Sequence, residues 1–196
     1  MLKGILLVII CYFIGSIPFS YIFPRIFTHV DVRSKGSGNV GATNVFRTVG
    51  IKVAVLALAG DLLKGVLAAW IGTSFASGWL LVFCCMAAVI GHCYPIFLKF
   101  KGGKAVATAG GIVLFLMPKI GLTLLLLFIC IVYVSRYVSL GSVTIATFLP
   151  ITAMLAAQPP EYVILSWLLA GLVVYRHREN IVRLRNGTES RLRDPA

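Results

Sequence analysis

Acidic residues are scarce: six Asp and Glu stand against eighteen Lys and Arg in 196 residues, and charges of both signs make up only 12% of the chain. A water-soluble domain carries charge around its whole surface, so this scarcity excludes that class. Grouped carboxylates that could hold a catalytic divalent cation are missing too, because Asp61 is the one acid inside an apolar run. No metal or other cofactor is therefore expected. The five cysteines, Cys11, Cys84, Cys85, Cys93 and Cys130, form no C-x-x-C pair and all lie in apolar stretches. They read as small buried hydrophobes and not as a disulfide frame. No linker, low-complexity tract or fixed-period repeat divides the chain, so residues 1–196 read as a single membrane-embedded domain. A net charge of +12 would suggest nucleic acid for a soluble protein, but here the basic loops are interleaved with Gly and Asn instead of stacking aromatics. Nucleic-acid binding is not expected.

What the chain has in abundance is apolar sequence: 59% of residues, with a mean hydropathy of +0.97. Apolar runs cover Leu2 to Phe23, Val53 to Phe75, Trp79 to Phe97, Ala105 to Pro118, Ile120 to Val134, Leu140 to Ala157 and Tyr162 to Tyr175. Some fall short of the roughly 20 residues of a straight span, but boundary glycines and aromatics extend them. The expected fold class is an all-α integral membrane protein, a bundle of seven transmembrane helices. Met117-Pro118-Lys119 reads as a turn between the fourth and fifth helices, because a run of about 30 residues is long for one span. The first run begins like a signal peptide but passes Gly15-Ser-Ile-Pro18 without a small-residue cleavage site, so it is kept as the first helix. Counting loops alternately, one side collects fifteen Lys and Arg and the other only Lys3 and Lys119. Cytoplasmic loops hold the basic excess, which predicts an N-terminus outside and a cytoplasmic C-terminus.

Three polar clusters interrupt the apolar chain, all on the basic side: Gly36-Ser-Gly-Asn-Val-Gly-Ala-Thr-Asn44, Gly91-His-Cys-Tyr-Pro with Lys101-Gly-Gly-Lys104, and Arg176-His-Arg-Glu-Asn180. They are expected to form one anion-handling site at the membrane surface. The first matches G-x-G-x-x-G at Gly36, Gly38 and Gly41, but the dinucleotide fingerprint needs a preceding strand and a βαβ unit. The local physics survives: glycines admit close backbone approach, Ser37, Asn39, Thr43 and Asn44 supply neutral hydrogen bonds, and Arg47 supplies charge. A turn with helix caps would explain the same residues. In the second cluster Leu98 stands where a Walker A loop needs its first Gly, and Ala105 follows Lys104 where Ser or Thr should be. Gly102 and Gly103 still allow amides to bend round an anion, with Lys104 at the start of a helix whose dipole favours negative charge. His92 reads as a hydrogen-bonded histidine at a helix end or as a site residue. In the third cluster His177 and Asn180 are three apart and share a helical face, as do Arg176, Asn180 and Arg183. Asp61 and Lys64 share the same spacing, which suits a compensated pair inside the bundle, or a brace for the site.

The three clusters in this order, GSGNVGATNVFR, GHCYPIFLKFKGGKAVAT and YRHRENIVRLRNGTE, with GDLLKG in the second helix, resemble the acyl-phosphate:glycerol-3-phosphate acyltransferase family of bacterial membranes. The resemblance covers the whole chain. It implies a seven-helix bundle in the bacterial plasma (inner) membrane, multi-pass, with the site on the cytoplasmic face. It implies acyl phosphate as donor, sn-glycerol 3-phosphate as acceptor and lysophosphatidic acid as product. Membrane lipid, and a soluble enzyme that produces the acyl phosphate, would be its partners.

The chemistry suits these residues. An acyl phosphate is already an activated mixed anhydride, so the protein needs no nucleophile of its own. It must hold two phosphates together against their repulsion. The resemblance carries catalytic roles to Ser37, His177 and Asn180. It carries substrate or phosphate binding to Gly36, Gly38, Asn39, Thr43, Asn44, Arg47, His92, Gly102, Gly103, Lys104, Thr108, Arg176 and Arg183, with Asp61 and Lys64 as structural support. His177 could take the proton of the attacking hydroxyl, and a substrate phosphate could do so equally; the resemblance favours the phosphate, with His177 positioning the ligands. Acyltransferases that use acyl-CoA carry an H-x-x-x-x-D dyad, but the residues five after His29, His92 and His177 are Ser34, Phe97 and Val182. A transporter would place its site at the bilayer midplane between repeats, whereas here the polar residues gather at one face and no twofold repeat is evident.

Overall fold

Pro18 decides how the first apolar run folds. The computed structural model describes residues 2–76 and 78–192, and in it α1 (Leu2–Ser16) stops just before Pro18 and α2 (Phe19–Thr28) starts just after it. The single helix expected over Leu2–Phe23 is therefore two, because proline removes a backbone donor and its ring clashes with the preceding turn. The other helices are α3 (Ala42–Val49), α4 (Ile51–Phe75), α5 (Trp79–Cys93), α6 (Val106–Leu116), α7 (Pro118–Ser135), α8 (Val138–Leu155), α9 (Pro160–Arg176) and α10 (Arg178–Arg185), with a 3-10 turn at Ile96–Leu98. No strand occurs among the described residues. Each expected apolar run contains a helix. Among the described residues five stretches are long and apolar enough to cross a membrane: Leu2–Thr28, Ile51–Phe75, Trp79–Leu98, Pro118–Ser135 and Val138–Leu155. Met117 leaves helical geometry at φ −135° and ψ 64°, and Pro118 opens α7, so the two runs around it are separate helices.

Two compact units divide between Ile112 and Val113. In the first, α1 lies along α5 with almost no side chain between them: a Cβ on Gly15 would strike the Ala88 carbonyl, and one on Gly91 the Tyr12 carbonyl. Small residues allow this approach where lipid gives no hydrophobic drive for helices to associate. Cys11, Ala68, Ile71, Cys84, Ala87 and Ala88 fill the seam. A second core of Val32, Val45, Ala54 and Ala57 ties α3 and the loop before it to α4. Cys11, Cys84, Cys85 and Cys93 are buried as expected of small hydrophobes, but Cys130 is exposed on α7.

In the second unit α8 packs between α7 and α9. Arg136, at φ 65°, turns the chain from α7 to α8, and the Leu192 amide returns to donate to the Arg136 carbonyl at 2.8 Å. Each unit exposes large apolar side chains, Leu2 at 83% and Leu63 at 60% in the first, Val134 at 76% and Leu155 at 82% in the second. Water would not tolerate such a surface, but hydrocarbon does.

Candidate active site

The first glycine-rich segment is organised by an amide it contains. Asn44, buried in the first turn of α3, accepts the Ser37 amide on Oδ1 at 2.9 Å and donates Nδ2 to the Val32 carbonyl at 2.8 Å and the Lys35 carbonyl at 3.2 Å. Its side chain is committed to holding the loop. Ser37 is consequently displayed on an exposed turn between Gly36 (φ 58°) and Gly38 (φ 68°), left-handed positions that glycine takes without strain. Asn39 lies against Gly41, Thr43 is half-buried in the first turn of α3, and Arg47 is half-buried in its last turn. At the loop's outer edge Arg33 grips Asp31 with Nη2 at 2.7 Å and Nε at 3.0 Å. The Arg33 guanidinium holds the Asp31 carboxyl down at about 2.

The second segment leaves α5 through a strained turn, with Lys99 at φ 52° and Phe100 at φ 62°. Gly102 and Gly103 were expected to turn their amides toward an anion, but these donate to the Cys93 and His92 carbonyls, each at 3.1 Å. The glycines serve proximity instead. A Cβ on Gly103 would collide with both His92 Nε2 and the Val40 carbonyl. Gly103 is thus where the first and second segments meet. Lys104 follows it, half-buried, two residues before α6, while Lys101 is exposed.

Beneath this junction lies a buried polar group. Asp61 and Lys64 on α4 form an ion pair at 2.9 Å, their side chains 3% and 2% exposed. Lys64 Nζ also donates to the Ile17 carbonyl at 2.9 Å, and Ser20 Oγ donates to Asp61 Oδ2 at 2.6 Å, so the pair satisfies both sides of the break at Pro18. Thr108, fully buried, donates to the Asp61 carbonyl at 2.9 Å and lies 3.2 Å from His92 Nδ1. His92 is buried as well and lies 3.6 Å from Asp61 Oδ1.

The third cluster belongs to the second unit. His177 and Asn180 were expected on one uninterrupted helix together with Arg176. Instead α9 ends at Arg176 and α10 starts at Arg178, with His177 at φ −99° and ψ 6° between them. The His177 ring holds this break: Nδ1 lies 2.8 Å from the Val173 carbonyl, which can only accept, so Nδ1 carries a hydrogen. Asn180 and Arg183, on α10, converge on a residue the sequence reading did not single out, Glu189: Asn180 Nδ2 donates to Oε1 at 2.6 Å and Arg183 Nε to Oε2 at 2.7 Å. Burial pushes the Glu189 carboxyl up, but the Ser139 hydroxyl, the Asn180 amide and the Arg183 guanidinium outweigh it and hold it below its ordinary value. A signal for it was present. Gly187, at φ 70°, turns the chain back after α10, and a carboxylate two residues past that turn is returned toward the arginines of α10.

Fold and surface define an all-helical integral membrane protein. A sequence profile of the family described as glycerol-3-phosphate acyltransferase matches residues 5–187. A glycerol-3-phosphate acyltransferase of Syntrophomonas wolfei is 60% identical over 190 residues, covering 97% of each chain. One of Geobacter sulfurreducens is 44% identical, over 98% of this chain and all of its own. The fold is similar to that of PlsY, an integral membrane glycerol 3-phosphate acyltransferase, in the crystal structure of its glycerol 3-phosphate form, with TM-score 0.91, 42% identity and coverage of 96% of this chain and 94% of that one. The lysophosphatidic acid form of PlsY matches with TM-score 0.89 and 40% identity, over the same shares of the two chains. The chain belongs to the glycerol-3-phosphate acyltransferase family.

Proposed function

We propose that this protein transfers a fatty acyl group from acyl phosphate to the 1-hydroxyl of sn-glycerol 3-phosphate, giving lysophosphatidic acid and phosphate, the first acylation of phospholipid synthesis. The observation that carries the reading is the junction at Gly103, where two glycine-rich segments meet beside the half-buried Lys104, in a chain whose relatives bear the name glycerol-3-phosphate acyltransferase. In this reading the whole chain acts as one catalytic domain, and each of the three clusters supplies residues to the reaction. Lys104, Arg47, Arg176 and Arg183 offset the charge of two phosphates, and Ser37, Asn39, Thr43 and Asn180 orient them. Asn44 acts through Ser37, whose amide it holds. The acceptor's hydroxyl oxygen attacks the acyl carbonyl carbon, the bond from that carbon to the phosphate oxygen breaks, and the hydroxyl proton passes to the departing phosphate. His177, its ring fixed through Nδ1, positions the ligands so that this hydrogen faces the phosphate.

The donor assay tests this directly. Purified protein in detergent should acylate glycerol 3-phosphate from acyl phosphate, not from acyl-CoA, without added metal and with activity unchanged by chelator. Efficient use of acyl-CoA, or a loss in chelator that a divalent metal restores, would overturn the proposed chemistry. A transporter would form no product, since detergent leaves no compartment to cross.

The same reading sets seven spans in the bacterial inner membrane, the N-terminus outside, and the site open to the cytoplasm, where a soluble enzyme could deliver acyl phosphate. Its support is the basic excess on one set of loops. In a background without the native cysteines, Ser37→Cys, Lys101→Cys and Arg185→Cys should react with an impermeant thiol reagent only from the cytoplasmic side. Labelling of an active variant from outside would overturn the topology.

A further inference from the structure

Resting on the proposed function, we infer that His92 is a positioning residue for the turn that carries Lys104, set in place by Thr108 and Asp61. The hydrogen of the Thr108 hydroxyl is committed to the Asp61 carbonyl at 2.9 Å, so its oxygen can only accept from His92 Nδ1 at 3.2 Å. Nδ1 therefore carries a hydrogen, and the Asp61 carboxylate oxygen 3.6 Å from it favours the same arrangement. The Nε2 edge of the ring then faces Gly103, at the spot a Cβ would occupy.

The same residue holds the turn through its main chain, because the Gly103 amide donates to the His92 carbonyl and the Gly102 amide to that of Cys93, next in the chain. Ring and backbone thus grip one short segment from two directions, and Lys104 is the next residue along. The grip has a firm footing. Asp61 cannot swing away, being bonded to Ser20 and paired with Lys64, which is itself tied to the Ile17 carbonyl. A histidine that merely completed the core would need the contacts with Thr108 and Asp61, but not the contact with Gly103. His92 therefore sets the position of the Lys104 ammonium without itself touching the reacting atoms.

The test compares folded variants in detergent. His92→Ala should raise KM by about tenfold for the phosphorylated substrate whose KM also rises in Lys104→Met, while kcat falls less than about threefold. His92→Gln, whose amide reaches the height of Nε2, should recover most of the loss, and His92→Asn, which ends at the height of Nδ1, should recover little. Thr108→Val should raise the same KM by a smaller factor and add nothing in the Thr108→Val/His92→Ala double variant, because it acts through the ring. Calorimetric titration with glycerol 3-phosphate and with inorganic phosphate reads the turn without turnover. His92→Ala and Lys104→Met should weaken the same ligand. An unchanged KM and affinity with only a lowered melting temperature would reduce His92 to core packing. A kcat loss of about a hundredfold at unchanged KM would make it a reacting group, and additivity in the double variant would separate it from Thr108. Each of these overturns the inference. Failure of the wild-type donor assay with the titration pattern intact would overturn only the acyl-phosphate reading.

Discussion

Gly103→Ala is expected to lower kcat/KM by about a hundredfold in a protein that still inserts and folds, since displacement of a site by about 1 Å carries losses of that order. The added Cβ would meet the Val40 carbonyl on one side and His92 Nε2 on the other. Neither can yield easily: Val40 is buried backbone of the first glycine segment, and the His92 ring is held at Nδ1. The turn must then move, and Lys104 with it. Lys104→Met and Arg47→Met test the charge itself. A charge-assisted hydrogen bond contributes about 1.5 to 3 kcal/mol, so each should cost about 10- to 150-fold in kcat/KM. Lys101→Met, at an exposed position, should be nearly silent. Steady-state kinetics with both substrates varied checks all four. Wild-type constants in a folded Gly103→Ala protein would show that the junction of the two segments is not part of the site.

The second large effect is expected in the tail. His177→Ala should lose about a hundredfold or more, because the ring both holds the break between α9 and α10 and positions the ligands. Asn180→Ala should also lose most activity, because it removes a 2.6 Å bond to Glu189 and leaves that buried carboxylate short of a partner. Glu189→Gln keeps the shape and one acceptor but removes the charge gripping Arg183, and should fall between the wild type and Asn180→Ala. Activity per folded molecule, with melting temperature measured alongside, separates lost chemistry from lost structure. Full activity in both His177→Ala and Asn180→Ala would remove the third cluster from the site, and the site would be rebuilt from the first two.

Much of this was legible in the residues because a bilayer imposes strong local rules. Scarce charge and long apolar runs require helices, since hydrocarbon offers backbone groups no partner except one another. The polar clusters stand out for the same reason. Spacing on α4 brought Asp61 and Lys64 together, because residues three apart are neighbours on any helix. Pro18 showed itself as a residue, but not as the end of a helix, because proline breaks some membrane helices and kinks others. The break holds here because α4 ties both sides of it, Lys64 donating to the Ile17 carbonyl and Asp61 accepting from the Ser20 hydroxyl.

The residue types themselves determined the solvent, the helical class and the identity of the polar segments, all properties of a local stretch of chain and the medium around it. The tertiary structure decided what those groups bond to. It spent the Gly102 and Gly103 amides on α5 and used Asn44 to hold the Ser37 loop. It interrupted the last helices at His177 and brought Glu189 back onto Asn180 and Arg183. Those hydrogen-bonded partners lie six to eleven residues apart, with a turn between them. No periodicity along the chain encodes such pairings, because only packing brings the groups within hydrogen-bonding reach.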